Sequence, residues 1–482
     1  RRFASRVASP PDADSKPRRH RPGDHAGSIA QENLFSAGSS ESCFPGSLSR
    51  PFTGRLARPR RPDRARGRTA RGSTPFISAG RKRRTTLLPR LGFQTFPGTL
   101  TDRHDGEGLW IHALSVGEVL SAAPLIRELH PRIKPARLYL SVSTLSGHET
   151  AAAKLRGSLD GLFYFPVDLA FPVRRSFDRV SPSLFVLVET DIWPGFMAEL
   201  RRRCIPSLLI NGRLSSSSFK MYGQVKRLLS PAFNTFYRVY PQSPSDAECY
   251  RKLGVSPEKL ATPGNLKFDA ARMASSPEGG ETLRTKLGIR EGERVLVAGS
   301  THEGEEVILR KAFLQLRQSI PTLKLMVAPR HPHRAEDVCR VFFRDPLHVV
   351  LFSSLPQPKG DVVVVDEFGV LSALYEFADL AYVGGSLVLK GGQNPVEPAA
   401  AGKPVLFGPD MSDFQEIADE MLKEGGAIQV KSGEELAAQA HRLLSDKALS
   451  AGLGAKNKGL VERHSGVTLT IANDILDVLS KA

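Results

Sequence analysis

The feature that most constrains this fold is a repeated alternation between short apolar runs and amphipathic helical stretches, which begins near residue 106. Such alternation is typical of a parallel β-sheet with helices on both faces, because each parallel connection needs a crossover helix. We predict six strand–helix units in a first domain at 106–275. Their strands are "LWIHAL", "RLYLSVS", "GLFYFPVD", "LFVLVET", "PSLLING" and "RVYPQS".

The same pattern restarts after "SSPEGGETLRTKLGIREGE", a polar stretch that we interpret as a hinge or linker. A second domain is predicted at 285–465, followed by a closing helix at 466–482. Its strands are "RVLVAGS", "LKLMVAPR", "VVLFSS", "VVVVDEF", "LAYVGGS" and "PVLFGP". The predicted class is therefore α/β, with two Rossmann-like, doubly wound domains that face each other across a cleft.

The positive charge of the chain is concentrated in its first hundred residues. Residues 1–100 hold 21 Lys and Arg against six Asp and Glu, which leaves 46 against 44 for the remainder of the 482 residues. This leader is also rich in Pro, Ser and Gly, so we predict that it is disordered. It could be a targeting segment, an arm that binds anionic lipid or nucleic acid, or sequence foreign to the domain.

The four cysteines show no spacing that would suggest a zinc site, and no apolar run approaches the roughly 18 residues that span a bilayer. We therefore expect a reduced compartment, no bound metal, and membrane contact that is only peripheral. A nucleic-acid-binding protein is disfavoured, because the body of the chain is nearly neutral and the arm has few aromatic residues.

In open parallel sheets the ligand site lies beyond the carboxyl ends of the strands. In the first domain, "WIHALSVGEVLSA" places Glu118 just after Gly117 at a predicted helix start. The acid could be a helix cap or a general base. The helix dipole favours its charged form and partial burial opposes it, and the sequence leaves that balance open.

In the second domain, three strand ends suggest a phosphate cradle. "AGSTHEGEE" at 298–306 would let a phosphate approach helix amides, or it is an ordinary capped helix start. "APRHPHR" at 328–334 clusters Arg330 and His331 with two more cations, or it is a solvated basic loop.

The stretch "VGGSLVLKGGQNPVEPAAAGKPVLFG" at 383–408 is the most specific in the chain. Its two glycine pairs precede Asn394 and Pro395, and a short helix should then point free amides at a phosphate while Glu397 accepts from ribose hydroxyls. No glycine-rich stretch matches the fingerprints for dinucleotides or for ATP hydrolysis, so we expect a nucleotide that acts as a leaving group.

Seven ordered motifs together resemble the 3-deoxy-D-manno-octulosonic acid (Kdo) transferases of lipid A biosynthesis. They are "WIHALSVGEVLSA", "DLAFPVRRSFDRVSPSLFVLVETDIWPGF", "INGRLSSSSFKMY", "PGNLKFD", "AGSTHEGEE", "APRHPHR" and the 383–408 stretch. The resemblance implies the GT-B fold, CMP-Kdo as donor and a lipid A precursor such as lipid IVA as acceptor. It also implies inversion without a metal, no cofactor, and a site at the cytoplasmic face of the inner membrane.

The resemblance also implies roles for individual residues. The catalytic base falls on Glu118, and the residues that stabilise the transition state fall on Glu189 and Lys267. The nucleotide contacts fall on Pro329, Arg330, His331, Phe368, Gly369, Val370, Asn394, Pro395, Val396 and Glu397.

Three questions stay open at this point. Glu189 ends an apolar strand and needs a partner, for which Arg213 is a candidate. Further cations should face an acidic sugar and a phosphorylated acceptor, and the candidates are Arg174, Arg175, Arg213 and Lys220. A transferase or epimerase of the same architecture that uses a UDP-sugar is the alternative function.

Overall fold

A computed structural model describes residues 86–96, 108–354 and 360–481. These residues form two parallel sheets, each with helices on both faces. The first has the strand order β3-β2-β1-β4-β5-β6, and the second has the order β13-β12-β11-β7-β8-β10-β9. The predicted pair of doubly wound α/β domains is confirmed, and all twelve predicted strands are present.

The strands of the first sheet are β1 (Gly108–Ala113), β2 (Arg137–Val142), β3 (Gly161–Tyr164), β4 (Pro182–Val188), β5 (Ser207–Gly212) and β6 (Arg238–Pro241). Those of the second are β7 (Val295–Thr301), β8 (Lys324–Pro329), β9 (Val349–Leu351), β10 (Val362–Val364), β11 (Leu380–Val383), β12 (Val405–Phe407) and β13 (Ala427–Gln429). The sequence did not reveal β13, because it includes the polar Gln429, whereas the other three-residue strands are wholly apolar.

The helices of the first half are α1 (Val116–Arg132), α2 (Leu145–Lys154), α3 (Ala170–Val180), α4 (Pro194–Arg202), α5 (Ser216–Gln224), α6 (Lys226–Phe233), α7 (Pro244–Leu253), α8 (Leu266–Ala274) and α9 (Pro277–Lys286). Those of the second half are α10 (Glu305–Ser319), α11 (Ala335–Phe342), α12 (Leu371–Phe377), α13 (Val396–Ala400), α14 (Gln415–Glu424), α15 (Gly433–Ser445), α16 (Lys447–Arg463) and α17 (Val467–Leu479).

Strand β1 shows how the first sheet is buried on both faces. Leu109 and Ile111 pack into an aliphatic core with α1, while Trp110 points the other way into a cluster of phenylalanines. All six residues of β1 are buried. A central strand covered on both sides therefore appears in the sequence as one continuous apolar run.

Part of the predicted disordered leader is ordered, which corrects the prediction for residues 86–96. Arg90 donates from Nε to the carbonyl of Phe165 at 3.1 Å, Gln94 pairs with the backbone of Tyr164, and Phe96 is buried in the aromatic core. The aromatic core gives Phe96 an apolar surface to pack against. The prediction for 1–85 and 97–100 lies outside the described residues.

The stretch predicted to be a hinge contains helix α9, which is a second correction. Ser276 accepts from the amide of Gly279 at 3.2 Å, and Pro277 occupies the first helical turn. The helix packs closely on α12, because a Cβ on Gly280 would lie 2.3 Å from the Cβ of Glu376. A glycine that suggested flexibility thus marks a tight contact.

Two helices connect the domains. In α8, Leu266 packs into the core of the first sheet, whereas Phe268 joins a cluster beneath the second. The last helix, α17, returns to the first sheet, where its apolar residues Val467, Ile471, Ala472 and Ile475 are buried. Asp269 joins the two helices by accepting from the amides at the start of α17, at 2.7 and 2.6 Å.

Candidate functional site

Glu118 lies in the first turn of α1, directly beyond β1, and only 7% of its surface is exposed. Its carboxylate accepts from the amide of Leu114 and, at 3.3 Å, from the hydroxyl of Ser115. The carboxylate therefore reaches back over the start of the helix, as an acid does in a capping box. The geometry of the Glu118 carboxylate is that of a helix cap. The burial and the charges around it raise its pKa, as in a general base.

The pKa of Glu118 is raised from 4.5 to about 8. The largest cause is burial, followed by the charge of Glu189, and Asp191 adds to both. The hydrogen bonds from Leu114 and Ser115 act in the opposite direction and are outweighed. Burial and the charges of the neighbouring acids therefore raise the pKa more than the hydrogen bonds at the helix start lower it. Glu118 binds its proton near neutral pH as a result.

Glu189 follows β4 with a φ of 61°, a left-handed conformation that is uncommon for a residue with a side chain. Its amide donates to the carbonyl of Ile210 at 2.9 Å, so the neighbouring strand holds this turn. The partner of its side chain is Lys267, whose Nζ lies 3.3 Å from Oε1. The candidate Arg213 instead pairs with Asp413 of the second domain at 3.0 Å.

Lys267 is the second residue of α8, and Asn265 accepts from its amide at 2.9 Å. Its ammonium group also lies over the ring of Phe414 from the second domain, 5.3 Å from the ring centre. The structure therefore brings Glu118, Glu189 and Lys267 together at one edge of the first sheet. Neither Phe414 nor Asp191 was predicted from the sequence, since only the fold places them beside these residues.

Of the other cations that were predicted to face the cleft, two arginines contact neighbouring segments of the first domain and one lysine is exposed. Arg175 donates from Nε to the carbonyl of Gly92 at 2.8 Å, and Arg174 lies 3.8 Å from Glu199. Both arginines stabilise the packing of α3 instead. Lys220 is exposed on α5.

In the second domain, Glu397 is held at the start of the five-residue helix α13. It accepts from the hydroxyl of Ser372 at 3.2 Å and from Nδ2 of Asn394 at 3.3 Å. Burial raises its pKa, while those two bonds and the charge of Arg330 lower it. The predicted free amide of Val396 is occupied, because Oδ1 of Asn394 accepts from it at 3.1 Å. Pro395 caps this helix with αR dihedrals.

The basic strand end beyond β8 contains both exposed and paired cations. Pro329 is the last residue of β8, and the guanidinium of Arg330 is exposed after it. Burial lowers the pKa of His331, and the charge of Arg330 lowers it further. Arg334 is paired with Glu306 at 3.0 Å. Arg330 is therefore the cation of this loop that is best placed to bind an anion.

The turn formed by Phe368, Gly369 and Val370 precedes α12 and faces the first domain. The ring of Phe368 is 70% exposed, and Gly369 has a φ of 83°. The Nζ of Lys154, at the end of α2, lies 3.0 Å from the position that a Cβ on residue 369 would take. A lysine of the first domain thus approaches this turn from across the cleft.

Glu305 has a structural role that the sequence did not reveal. This fully buried acid accepts five hydrogen bonds that fix the glycine loop after β11. The donors are the amides of His302, Gly385, Ser386 and Leu387 and the hydroxyl of Tyr382, at 2.7 to 3.2 Å. Of the amides near 298–306 that we predicted would meet a phosphate, that of His302 is therefore already bonded to a carboxylate of the protein.

No helix within the described residues is both long enough and apolar enough to cross a membrane. A family profile described as "3-Deoxy-D-manno-octulosonic-acid transferase (kdotransferase)" matches residues 83–270. The 3-deoxy-D-manno-octulosonic acid transferase of Haemophilus influenzae is 32% identical, over 74% of this chain and 85% of its own length. That of Rickettsia felis is 30% identical, over 70% of this chain and 71% of its own.

A solved UDP-GlcNAc 2-epimerase from Neisseria meningitidis has a TM-score of 0.55 and 14% identity, and covers 78% of this chain and 100% of its own. At that identity the likeness concerns the fold alone, and it agrees with the predicted GT-B arrangement. Both relatives are named as 3-deoxy-D-manno-octulosonic acid transferases, and this chain covers most of the length of each. The chain belongs to the family of 3-deoxy-D-manno-octulosonic acid (Kdo) transferases, which are glycosyltransferases of lipopolysaccharide biosynthesis.

Proposed function

We propose that this Kdo transferase moves Kdo from CMP-Kdo to a lipid A precursor such as lipid IVA, with inversion and without a bound metal. The observation that carries the proposal is the buried carboxylate of Glu118, which lies beside Glu189 and has a pKa of about 8. A general base is most effective when its pKa is near the working pH.

The chemical step is a displacement at the anomeric carbon of Kdo. An acceptor hydroxyl oxygen forms the new bond while its proton passes to the Glu118 carboxylate. The bond between the anomeric carbon and the phosphate oxygen breaks, and CMP leaves with the electron pair. Attack from the side opposite CMP inverts the configuration.

Lys267 and Glu189 assist this step as a pair. The Lys267 ammonium, 3.3 Å from Glu189, reduces the repulsion between two neighbouring carboxylates. Its positive charge also attracts the negative charge that develops on the leaving phosphate or is carried by the Kdo carboxylate.

On the donor side, Arg330 is the phosphate ligand and Glu397, held by Asn394, is the acceptor for ribose hydroxyls. The Phe368–Val370 turn would cover the nucleotide, with Lys154 above it. Pro329, His331, Pro395 and Val396 shape this pocket.

An acceptor with acyl chains requires an enzyme that contacts the cytoplasmic face of the inner membrane. The first domain carries an exposed apolar group, in which the rings of Phe93 and Phe171 lie 6.3 Å apart. Its exposed members are Leu87, Leu88, Phe93, Leu169 and Phe171. Arg90 and Arg175 anchor the same segments, so apolar and basic groups lie together, as in peripheral membrane proteins.

The test incubates the full chain with CMP-Kdo and lipid IVA and measures Kdo-lipid product and released CMP. We expect turnover by the parent and a loss of about 10²- to 10⁴-fold in Glu118→Gln. Glu128→Gln is the matched control, because Glu128 lies on the same helix in an exposed pair with Arg132. Unchanged turnover in Glu118→Gln would remove the base from the mechanism.

The alternative, an enzyme that uses a UDP-sugar, is supported only by the likeness of fold to the epimerase. Competition by CMP and UDP for the donor site separates the two. Inhibition by UDP at lower concentration than CMP would favour the alternative.

A further inference from the structure

The segment that follows β12, residues 409–414, is the point where groups from both domains meet beside Lys267. On the donor side it is bonded to the second glycine pair, since the amide of Gly391 donates to Asp410 at 2.7 Å and the amide of Asp413 donates to the carbonyl of Gly391 at 2.8 Å. The contact is tight, because a Cβ on Gly392 would lie 2.5 Å from the sulfur of Met411.

The same segment contacts the first domain through two side chains. Nη2 of Arg213 donates to Asp413 at 3.0 Å, and the ring of Phe414 lies under the ammonium of Lys267. The Lys267 side chain is only 14% exposed, and its ammonium lies between a carboxylate of one domain and an aromatic ring of the other. A cation that is partly removed from water gains more from an aromatic face than an exposed one does.

We propose that Phe414 is a positioning residue, which holds the Lys267 ammonium against Glu189, and that the Asp413–Arg213 pair brings the Phe414 segment to the first domain. This inference rests on the proposed function, because it assumes that Lys267 acts on the reacting atoms. It goes further by linking the donor loop to the acid cluster through one short segment. Phe414 contacts neither substrate in this role, and it acts only through Lys267.

The first test replaces Phe414 by Leu, which keeps an apolar side chain against Met411 and the buried cluster but removes the aromatic face. We expect kcat to fall about 3- to 30-fold, which is the strength of a cation–π contact expressed as a rate ratio, with CMP affinity changed less than about twofold. Phe414→Trp should restore the rate. Phe343→Leu is the matched control, since Phe343 is an exposed phenylalanine that follows α11.

The second test concerns the ion pair. Asp413→Asn should lower kcat in the same direction, and its effect combined with Phe414→Leu should be smaller than the product of the two, because both act on one position. The reversed pair, Arg213→Asp with Asp413→Arg, should recover activity that either single reversal loses. Asp337→Asn, in an exposed ion pair with Arg340, is the control.

A measurement without turnover separates this inference from the proposed function. Methylation of Lys267 by formaldehyde and a borohydride, followed by peptide mass spectrometry, should be several-fold faster in Phe414→Leu than in the parent. Exposed Lys252 serves as the internal reference. If the parent makes no Kdo-lipid product, the proposed function fails and the labelling still decides the position of Lys267. Equal labelling and full kcat in Phe414→Leu, or a loss of CMP affinity as large as that of kcat, would overturn the inference.

Discussion

Replacement of Glu118 by Gln should make the protein more stable as well as inactive. In the folded chain the carboxyl group has a pKa of about 8 against an ordinary value of 4.5, so the native state binds this proton more tightly than the unfolded chain does. A group of this kind contributes stability below pH 4.5 and loses it progressively as the pH rises to about 8. Gln cannot ionise and therefore does not show this loss.

The size of the effect follows from the interval between the two pKa values. With about 1.4 kcal/mol for each unit, the stability that Glu118 contributes below pH 4.5 falls by about 3 kcal/mol at pH 7, where the unfolded chain has released the proton, and by about 5 kcal/mol well above pH 8. Gln keeps an oxygen that can accept from the amide of Leu114, so the cap is retained.

Urea unfolding of the two proteins at pH 5, 7 and 9 measures the difference. The advantage of Glu118→Gln should be smallest at pH 5 and largest at pH 9, while exposed Glu128→Gln should differ little from the parent at every pH. A difference that does not vary with pH, or a Gln variant less stable than the parent at pH 9, would show that the acid serves mainly as a cap.

The remaining predictions concern both domains. Lys267→Gln should lower kcat about 10²-fold, measured as CMP release, because the neutral amide no longer offsets the charge of the acids. Arg330→Ala should raise the KM for CMP-Kdo about 10- to 100-fold in a donor titration, as expected for a lost charge-assisted contact. Glu305→Gln should destabilise the protein by about 2–4 kcal/mol in thermal unfolding, since its NH₂ group would face backbone donors. Gly384→Ala should cost about 1–3 kcal/mol in the same assay, because its Cβ would lie 2.5 Å from the carbonyl of Ser300.

The sheets could be predicted because their central strands are buried on both faces and form unbroken apolar runs. β1 and β11 are of this kind, and the polar residues that follow them mark the edge where the site lies. Glu118, Glu189 and Lys267 were named through motifs, and the fold then placed them together. Arg330 could be predicted for the same reason, because it directly follows β8 and is exposed there.

The features that the sequence missed depend on contacts between distant segments. Glu305 has the local pattern of a helix-start acid, and nothing nearby shows that its five donors come mainly from a loop about 80 residues away. Phe414 has no local signal at all, because its partner is Lys267 in the other domain. Residues 86–96 hold one basic residue and five Leu or Phe, and Phe96 packs into the phenylalanine cluster of the first domain, so the predicted leader was drawn too long.

The position of Lys267 explains why the site needs both domains. Two acids near one another would repel, and Glu118 responds by retaining its proton near neutral pH. Lys267 is the second residue of α8 and lies between Leu266 and Phe268, which pack into the cores of the first and second domains. The Lys267 ammonium lies 3.3 Å from Glu189 of the first domain and over the ring of Phe414 of the second, so groups of both domains hold the cation that offsets the acids.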